Sequence, residues 1–174
     1  AGGSQAGTTV KGNASVNISD GVVNGSIYGT GGVVEGSISI SVTGGTVNGD
    51  IYAGGYNAGA GNTSIDITGG SVSGNIYGGS FVDASSSTVN SVGDVEIKIE
   101  NLSASGSRVF GGGKTLKNGV LEADMTEGDA VINIMDNVTL KSVHGGTWVR
   151  NYTSDDAQTA SQAKAFVKSS NITI

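Results

Sequence analysis

The stretch GGTVNGDIYAGG, residues 44–55, decides the fold because the chain contains three versions of it. A similar stretch, DGVVNGSIYGTG, occupies residues 20–31, and another, GGSVSGNIYGGS, occupies residues 69–80. In each version a valine, a glycine and an isoleucine alternate with polar residues, which is the pattern of a strand with one buried face. The flanking glycines favour turns, since glycine tolerates positive φ. The three stretches therefore indicate a repeated structural unit.

Two anchor pairs follow this repeat along the whole chain. The first is a pair of aliphatic residues two positions apart: Val16 and Ile18, Ile40 and Val42, Ile65 and Ile67, Ile97 and Ile99, Ile132 and Ile134, Ile172 and Ile174. The second is an aliphatic residue followed by a ring: Ile27-Tyr28, Ile51-Tyr52, Ile76-Tyr77, Val109-Phe110, Val143-His144. First anchors are spaced by 24, 25, 32, 35 and 40 residues, and second anchors by 24, 25, 33 and 34. Because both spacings grow together, the chain has one repeat with lengthening insertions.

A unit of this length cannot bury its own apolar face, but stacked units bury a continuous core. The sequence therefore predicts an all-β fold, a parallel β-helix (β-solenoid) of about five coils that begin near residues 16, 40, 65, 97, 132 and 172. Right-handed connection is the default for parallel strands, so a right-handed coil is expected. Residues 1–13 are assigned to an N-terminal segment and residues 14–174 to a single domain.

The insertions all fall at the same corner of the repeat. The return from the ring residue to the next first anchor grows from 11 residues in the first coil to 27 in the fifth. Residues 91–174 also hold 18 of the 24 charged side chains. Long loops on a rigid scaffold are common sites of binding, so function is expected on this side. Within the last insertion, capping residues followed by alanines predict a short helix near 156–168.

Composition and charge exclude several classes of function. The net charge of −6 argues against nucleic acid as a partner, because phosphate binding requires a basic surface. The absence of cysteine excludes disulfides, thiol catalysis and cysteine-bound metals. Apolar runs are only a few residues long, so no membrane span is predicted. No cofactor is expected.

Aromatic residues supply the candidate ligand-binding residues. Trp148, Arg150 and Tyr152 lie together in the last insertion, and these residue types are favoured in recognition surfaces. Tyr28, Tyr52 and Tyr77 should form an outward or corner file that serves either as a stacked structural column or as a platform for sugar rings. Trp148 has a structural alternative, in which it covers the core beneath the insertion. His144 occupies the file's ring position and is interpreted as a substituted aromatic residue.

Acidic residues offer weaker candidates. Asp124, Glu127 and Asp129 lie in one predicted loop and form a calcium candidate, although their spacing differs from that of an EF-hand. Polysaccharide-cleaving enzymes also use β-helices and need carboxylates gathered in a groove. Asp94 and Glu96 are on a charged strand, where alternation indicates a solvated outer face. The sequence therefore favours a protein that is not an enzyme.

The units resemble the Gly-, Ser- and Asn-rich repeats of large bacterial surface proteins, including adhesin-like and autotransporter-passenger β-helices. GGTVNGDIYAGG and GGSVSGNIYGGS carry this resemblance, which extends over roughly residues 14–146. It implies an extracellular, surface-displayed scaffold. The lengthening insertions depart from a plain stalk and favour an adhesive module that binds a host or neighbouring-cell glycan or protein. A structural subunit of a surface filament is the alternative, and a carbohydrate-active enzyme is the third possibility.

The two ends of the repeat suggest self-association. Ile172 and Ile174 align with Val16 and Ile18, which open the first coil. Unpaired strand edges invite pairing with another chain. The sequence therefore predicts that the last strand of one molecule lies against SVNIS, residues 15–19, of the next.

Overall fold

The computed structural model describes residues 8–83, 90–116, 124–149 and 165–174, and every regular element within them is a β-strand. In chain order the strands are β1 (Thr9–Val10), β2 (Ala14–Ile18), β3 (Val22–Val23), β4 (Ile27–Thr30), β5 (Val33–Val34), β6 (Ile38–Val42), β7 (Thr46–Val47), β8 (Ile51–Gly55), β9 (Thr63–Ile67), β10 (Ser71–Val72), β11 (Ile76–Tyr77), β12 (Phe81–Val82), β13 (Asn90–Val92), β14 (Val95–Ile99), β15 (Ser103–Phe110), β16 (Lys114–Thr115), β17 (Asp124–Ile134), β18 (Thr139–His144), β19 (Trp148–Val149) and β20 (Ala165–Thr173). The prediction of an all-β chain is confirmed.

The prediction of a helix near 156–168 is wrong where it can be compared. β20 begins at Ala165, so residues 165–168 are extended, while residues 156–164 lie outside the described part of the chain. β20 contains the β-branched residues Val167 and Thr173, and β17 offers an edge to pair with. Together these favour a strand over the weak helical signal of the alanines. In the described ranges, no helix is long and apolar enough to cross a membrane.

Strands from successive repeats lie side by side in parallel. The first sheet contains β2, β6, β9, β14 and β17 in this order, with β13 and β20 both paired to β17. The second contains β3, β7 and β10, the third β4, β8, β11, β15 and β18, and the fourth β12, β16 and β19. β1 pairs with β5, so residues 9–10 of the predicted N-terminal segment belong to the sheet structure. The repeat thus returns the chain to the same sheet once per unit.

The register places equivalent residues of the repeat directly against one another. In the first sheet Val16 pairs with Ile40, Ile40 with Ile65, Ile65 with Ile97, Ile97 with Ile132, and Ile132 with Ile172. In the third sheet Ile27 pairs with Ile51, Ile51 with Ile76, Ile76 with Val109, and Val109 with Val143. Both kinds of anchor are therefore in register as far as Ile172, and apart from Ile172 and Ile174 their aliphatic side chains form the main core or pack against it.

One corner of every unit needs a residue in the left-handed region. Glycine serves in the first three units, at Gly21, Gly45 and Gly70, with φ of 85°, 76° and 85°. Asparagine serves in the next two, at Asn101 and Asn137, with φ of 52° and 58°. Asparagine tolerates this region better than other residues with a side chain. Its amide also adds a bond between units, since Asn137 Nδ2 donates to Asn101 Oδ1 at 3.0 Å.

Candidate functional site

Five rings stack face to face along the third sheet, which we call the ring ladder. Its members are Tyr28, Tyr52, Tyr77, Phe110 and His144. Successive centroids lie 5.1, 4.7, 4.9 and 4.8 Å apart, and the planes of neighbours differ by at most 12°. This spacing follows from the separation of parallel strands, which places identical side chains about 4.8 Å apart. The register of the repeat alone therefore accounts for the stacking of the rings.

A second row of side chains packs over the ring ladder, which we call the covering row. Tyr56 pairs with Phe81, Phe81 with Lys114, and Lys114 with Trp148, so the row also follows the register of the units. The Tyr56 ring meets Tyr28 edge-on at 5.4 Å, and Phe81 meets Tyr52 at 5.4 Å. Tyr52 and Tyr77 are each only 1% exposed as a result.

Lys114 replaces a ring in the covering row and joins four units. Its Nζ lies 5.4 Å from the Trp148 centroid, 5.7 Å from Tyr77 and 5.8 Å from Phe81. It also makes an ion pair with Asp50, at 3.2 Å. An ammonium is attracted to the negative faces of aromatic rings, and Trp is the best partner. The three rings and the Asp50 carboxylate therefore stabilise the Lys114 ammonium in a row whose other members are aromatic.

Asp50 is the polar counterpart of Lys114. Tyr52 Oη donates to Asp50 Oδ2 at 2.8 Å, and the backbone N–H of Asn75 donates to Asp50 Oδ1 at 2.7 Å. The Asn75 side chain repeats the arrangement, accepting from the backbone N–H of Arg108 at 2.9 Å. Both carboxylate oxygens of Asp50 are thus occupied by donors from this chain, which fixes the ion pair in one geometry.

Burial raises the pKa of Tyr52 well above its ordinary value, and the hydrogen bond to Asp50 acts in the same direction. Burial also raises the pKa of Tyr77, with the Asp50 charge as the next cause. Both effects oppose formation of a phenolate within the stack. The ring ladder therefore keeps these hydroxyls protonated to a higher pH than in an unfolded chain.

Alkaline solution is expected to destabilise the protein through these two tyrosines. Their folded pKa values are raised, so their contribution is fully present below pH 10 and is lost as the pH rises beyond it. Above about pH 10 the unfolded chain releases these protons and the folded chain keeps them, which lowers the unfolding free energy by about 1.4 kcal/mol per pH unit for each tyrosine. Tyr28 and Tyr56 also have raised pKa values and add to the slope. Denaturant titrations between pH 8 and 12 would measure it, and Tyr77→Phe should reduce it by the contribution of one tyrosine, about 1.4 kcal/mol per pH unit. A slope unchanged in the Tyr77→Phe protein would contradict the assignment.

The structure brings some of the predicted ligand-binding residues together. Trp148 packs with Tyr28, Tyr52 and Tyr77 in one cluster. Of the two interpretations of the tyrosine file, Tyr52 and Tyr77 fit the stacked structural column, because neighbouring rings and the covering row leave them no free face for a sugar. Tyr28 and Trp148 remain half-buried. Arg150 and Tyr152 lie outside the described residues.

The sequence interpretation missed the covering row, although a signal for it exists. Each member follows a ring-ladder residue by four positions: Tyr56 after Tyr52, Phe81 after Tyr77, Lys114 after Phe110 and Trp148 after His144. The intervening glycines make the turn that folds the row back. Tyr56 is the most open of these rings, at 41% exposed, and its hydroxyl donates to Asp83 Oδ2 at 2.7 Å. The exposed ring surface of the corner is therefore provided by Tyr56, Trp148 and the last ladder residue, His144.

His144 is exposed at the end of the ring ladder, with its Nε2 2.7 Å from Ser142 Oγ. A serine and a histidine at this distance resemble part of a hydrolytic triad. However, Asp50 bonds Tyr52 and Asn75 bonds Tyr77 at the same two-residue spacing. The Ser142–His144 contact is thus the fifth unit's version of a polar residue that supports its ring.

The calcium candidate differs from its prediction. Asp124, Glu127 and Asp129 belong to β17 and not to a loop, because the acidic segment continues the strand that pairs with β14 and β20. Asp129 Oδ1 accepts from Ser169 Oγ at 2.8 Å and lies 3.6 Å from Lys168 Nζ. Among the described side chains, no three acidic or histidine groups gather closely enough to hold a metal.

An open groove of about 510 Å³ lies along the outer face of the first sheet. Asn62, Asp94, Glu96 and Asp129 line it with serine, threonine and aliphatic residues. Asn62 Oδ1 accepts from the backbone N–H of Asp94, and Asp94 Oδ1 accepts from that of Asp129, both at 3.0 Å. These side chains therefore bond successive units to each other, which is a structural role.

The predicted self-association residues lie at opposite edges of the first sheet. Val16 and Ile18 are half-buried on β2 at one edge. Ile172, on β20 at the other edge, is 39% exposed, and Ile174 just beyond it is 90% exposed. The chain matches no protein-family model, no curated protein and no solved structure, so its function is inferred from these contacts.

Proposed function

We propose that the protein is a right-handed parallel β-solenoid that acts as a non-catalytic, extracellular scaffold and adhesive module of a bacterial surface protein. The observation that supports this most strongly is the continuous register of the repeat. Side chains, ring planes and polar bonds from one unit fall on the same positions of the next. Such a stack extends by adding identical layers, which suits a rigid display element.

The binding surface that we propose is the corner formed by Tyr56, Trp148 and His144. These side chains are held by the buried ring ladder, so they are positioned without loss of side-chain freedom on binding. Aromatic anchors are favoured in recognition, and Lys114 and Asp83 add charge of both signs nearby. A glycan or a protein of a host or neighbouring cell fits this mixture of ring faces and polar groups.

Binding to immobilised glycans and extracellular proteins would test the adhesive function. Tyr56→Ser should weaken binding about 30-fold, the loss typical of an aromatic anchor. Val22→Ser is the matched control, because Val22 is 63% exposed on a different sheet and should leave binding unchanged. Equal affinity of the Tyr56→Ser and unaltered proteins would exclude this corner. Release of reducing sugar from a bound glycan would instead favour the carbohydrate-active enzyme.

A structural subunit of a surface filament is the second candidate, supported by the partial burial of the core residues in the first and fifth units of the described stack. Val16, Ile18 and Val23 at one end, and Ile134, Leu140 and Val143 at the other, are only partly buried. Electron microscopy of concentrated protein would show linear assemblies one molecule wide if units stack end to end.

A further inference from the structure

Glycines in the middle of the stack are required by the preceding unit. A Cβ built on Gly49 would lie 2.5 Å from both the carbonyl carbon and the oxygen of Gly25, and one on Gly74 would collide with Gly49. A Cβ on Gly36 would likewise lie 2.6 Å from Gly12 O. Backbone cannot yield as a flexible side chain can, so a side chain at these positions would separate neighbouring units.

In the part of the chain that the structure describes, the glycines at the edge of the first unit have no such neighbour. A Cβ on Gly12 or Gly25 would meet no atom within 4 Å, and neither residue has a positive φ. The described fold therefore does not require glycine there. Gly146 at the opposite end is equally open, whereas a Cβ on its counterpart Gly112 would collide with Thr147 of the next unit. Among the described residues, Gly12, Gly25 and Gly146 thus have no contact that excludes a side chain, unlike their counterparts inside the stack.

The opposite end also has an unfilled apolar surface. A cavity of about 410 Å³ opens between Ile134, Val138, Leu140, Val143, Ile172 and Ile174. In the preceding unit Ile99, Leu102 and Val109 are completely buried. The fifth-unit residues of this lining, Ile134, Val138, Leu140 and Val143, are only partly buried, whereas their counterparts in the fourth unit are covered by the next layer.

We infer that the first-unit edge of one molecule binds this open end of a second copy, with β3 and β4 against β18. The inference rests on the stacked-unit architecture proposed above. A second copy is the partner that fits, because its edge has the same repeat: Ile27 falls on Val143, and Tyr28 adds a sixth ring to the ladder on His144. Its Gly25 allows the backbones to approach as they do within the stack.

β20 controls this contact because it fills the layer that β2 of the incoming copy needs. The first sheet continues past β17 to β20, whereas the third sheet ends on β18. While β20 is paired with β17, β2 of the second copy could pair only with β20. Its β4 would then lie one strand separation too far from β18 to pair with it. The pairing of Ile172 with Val16 that the sequence predicts would therefore leave a gap of one layer between β4 of the second copy and β18. End-to-end binding in full register therefore requires β20 to leave β17.

Two features of β20 suit a strand that protects an edge. Lys168 is exposed and paired with Asp129, and lysine on an edge strand discourages pairing with other chains. Ser170 of β20 pairs with the inward-facing Ala130 of β17, so β20 has a polar side chain at a position that is apolar in β17. The contact also brings like charges together, because Asp20 and Asp136 each precede the left-handed corner residue of their unit. Association should therefore strengthen as salt screens these charges.

Sedimentation velocity of the 17.2 kDa chain over a concentration series tests the inference. The unaltered chain is expected to be mainly monomeric. Ile172→Asp, which places a charge against the open core, and Asn171→Pro, which removes a backbone donor from β20, should each release the strand and raise the weight-average mass about tenfold, because head-to-tail contacts do not close. Adding Gly25→Val to either variant should restore the monomer, since a side chain there blocks the edge without touching the fold.

Concentration-independent monomers for both β20 variants would overturn the inference, as would assemblies that persist with Gly25→Val. Failure of the stacked-unit architecture gives a different result. Gly49→Ala and Gly25→Ala would then have equal stabilities, because neither glycine would face a preceding unit. If Gly49→Ala is less stable than Gly25→Ala but the β20 variants do not associate, the stacked-unit architecture holds and only the contact between copies is excluded.

Discussion

Ile40→Asp is expected to lower the unfolding free energy by about 4 kcal/mol, a large share of the roughly 5–15 kcal/mol that stabilises a typical domain. Ile40 is 1% exposed and packs between Val16 and Ile65 in the first sheet. The substitution removes an aliphatic side chain and introduces a carboxylate with no partner in an apolar column. Chemical denaturation followed by circular dichroism would measure the loss.

Ser39→Asp is the matched control for this prediction. Ser39 is the preceding residue of β6 and is exposed on the outer face, so the same new charge would remain in water. We expect its unfolding free energy to change by no more than about 0.5 kcal/mol. Similar losses for the two variants would mean that the inward and outward faces of β6 are assigned incorrectly.

Gly49→Ala is expected to cost about 3 kcal/mol, although it adds a single methyl group. The added carbon would lie 2.6 Å from the backbone nitrogen of Ser26 as well as against Gly25. Relief requires the first and second units to move apart, which breaks strand pairing and loosens the stacked rings of Tyr28 and Tyr52. Thermal and denaturant unfolding would both detect the change.

Gly25→Ala provides the comparison, because it is the same substitution at the same position of the preceding unit. The added carbon meets nothing within 4 Å, and alanine reduces the freedom of the unfolded chain. We expect stability equal to or slightly above that of the unaltered protein. A large loss from Gly25→Ala would show that another part of the chain covers this edge.

Much of the fold could be predicted from the sequence, because in a repeat the local spacing indicates which residues of distant strands pair. Alternation within GGTVNGDIYAGG defines the inward face, and the spacing of its copies defines which residues of distant strands meet. That is why Ile51 lies on Ile27 and Ile76, and why the rings stack, as the structure shows. The helix near 156–168 was predicted from local propensity alone, which pairing with β17 overrides where β20 is described.

The candidate site depended far more on tertiary structure. The four-residue spacing from Tyr52 to Tyr56 was present in the sequence, but it does not say that this row folds over the ladder and buries Tyr52. The ion pair joins Lys114 of β16 to Asp50, which lies between β7 and β8, 64 positions away, and no periodicity relates them.

The sequence by itself thus determined the strand pattern, the register and the ring ladder, because these follow from a repeat in which each unit contacts its neighbours. Only the tertiary structure decided which rings remain accessible, how Lys114 is compensated and that β20 adds a sixth layer to one sheet alone. Those features depend on how different sheets meet at a corner and on where the stack is left open. Neither is encoded in the alternation of any single strand.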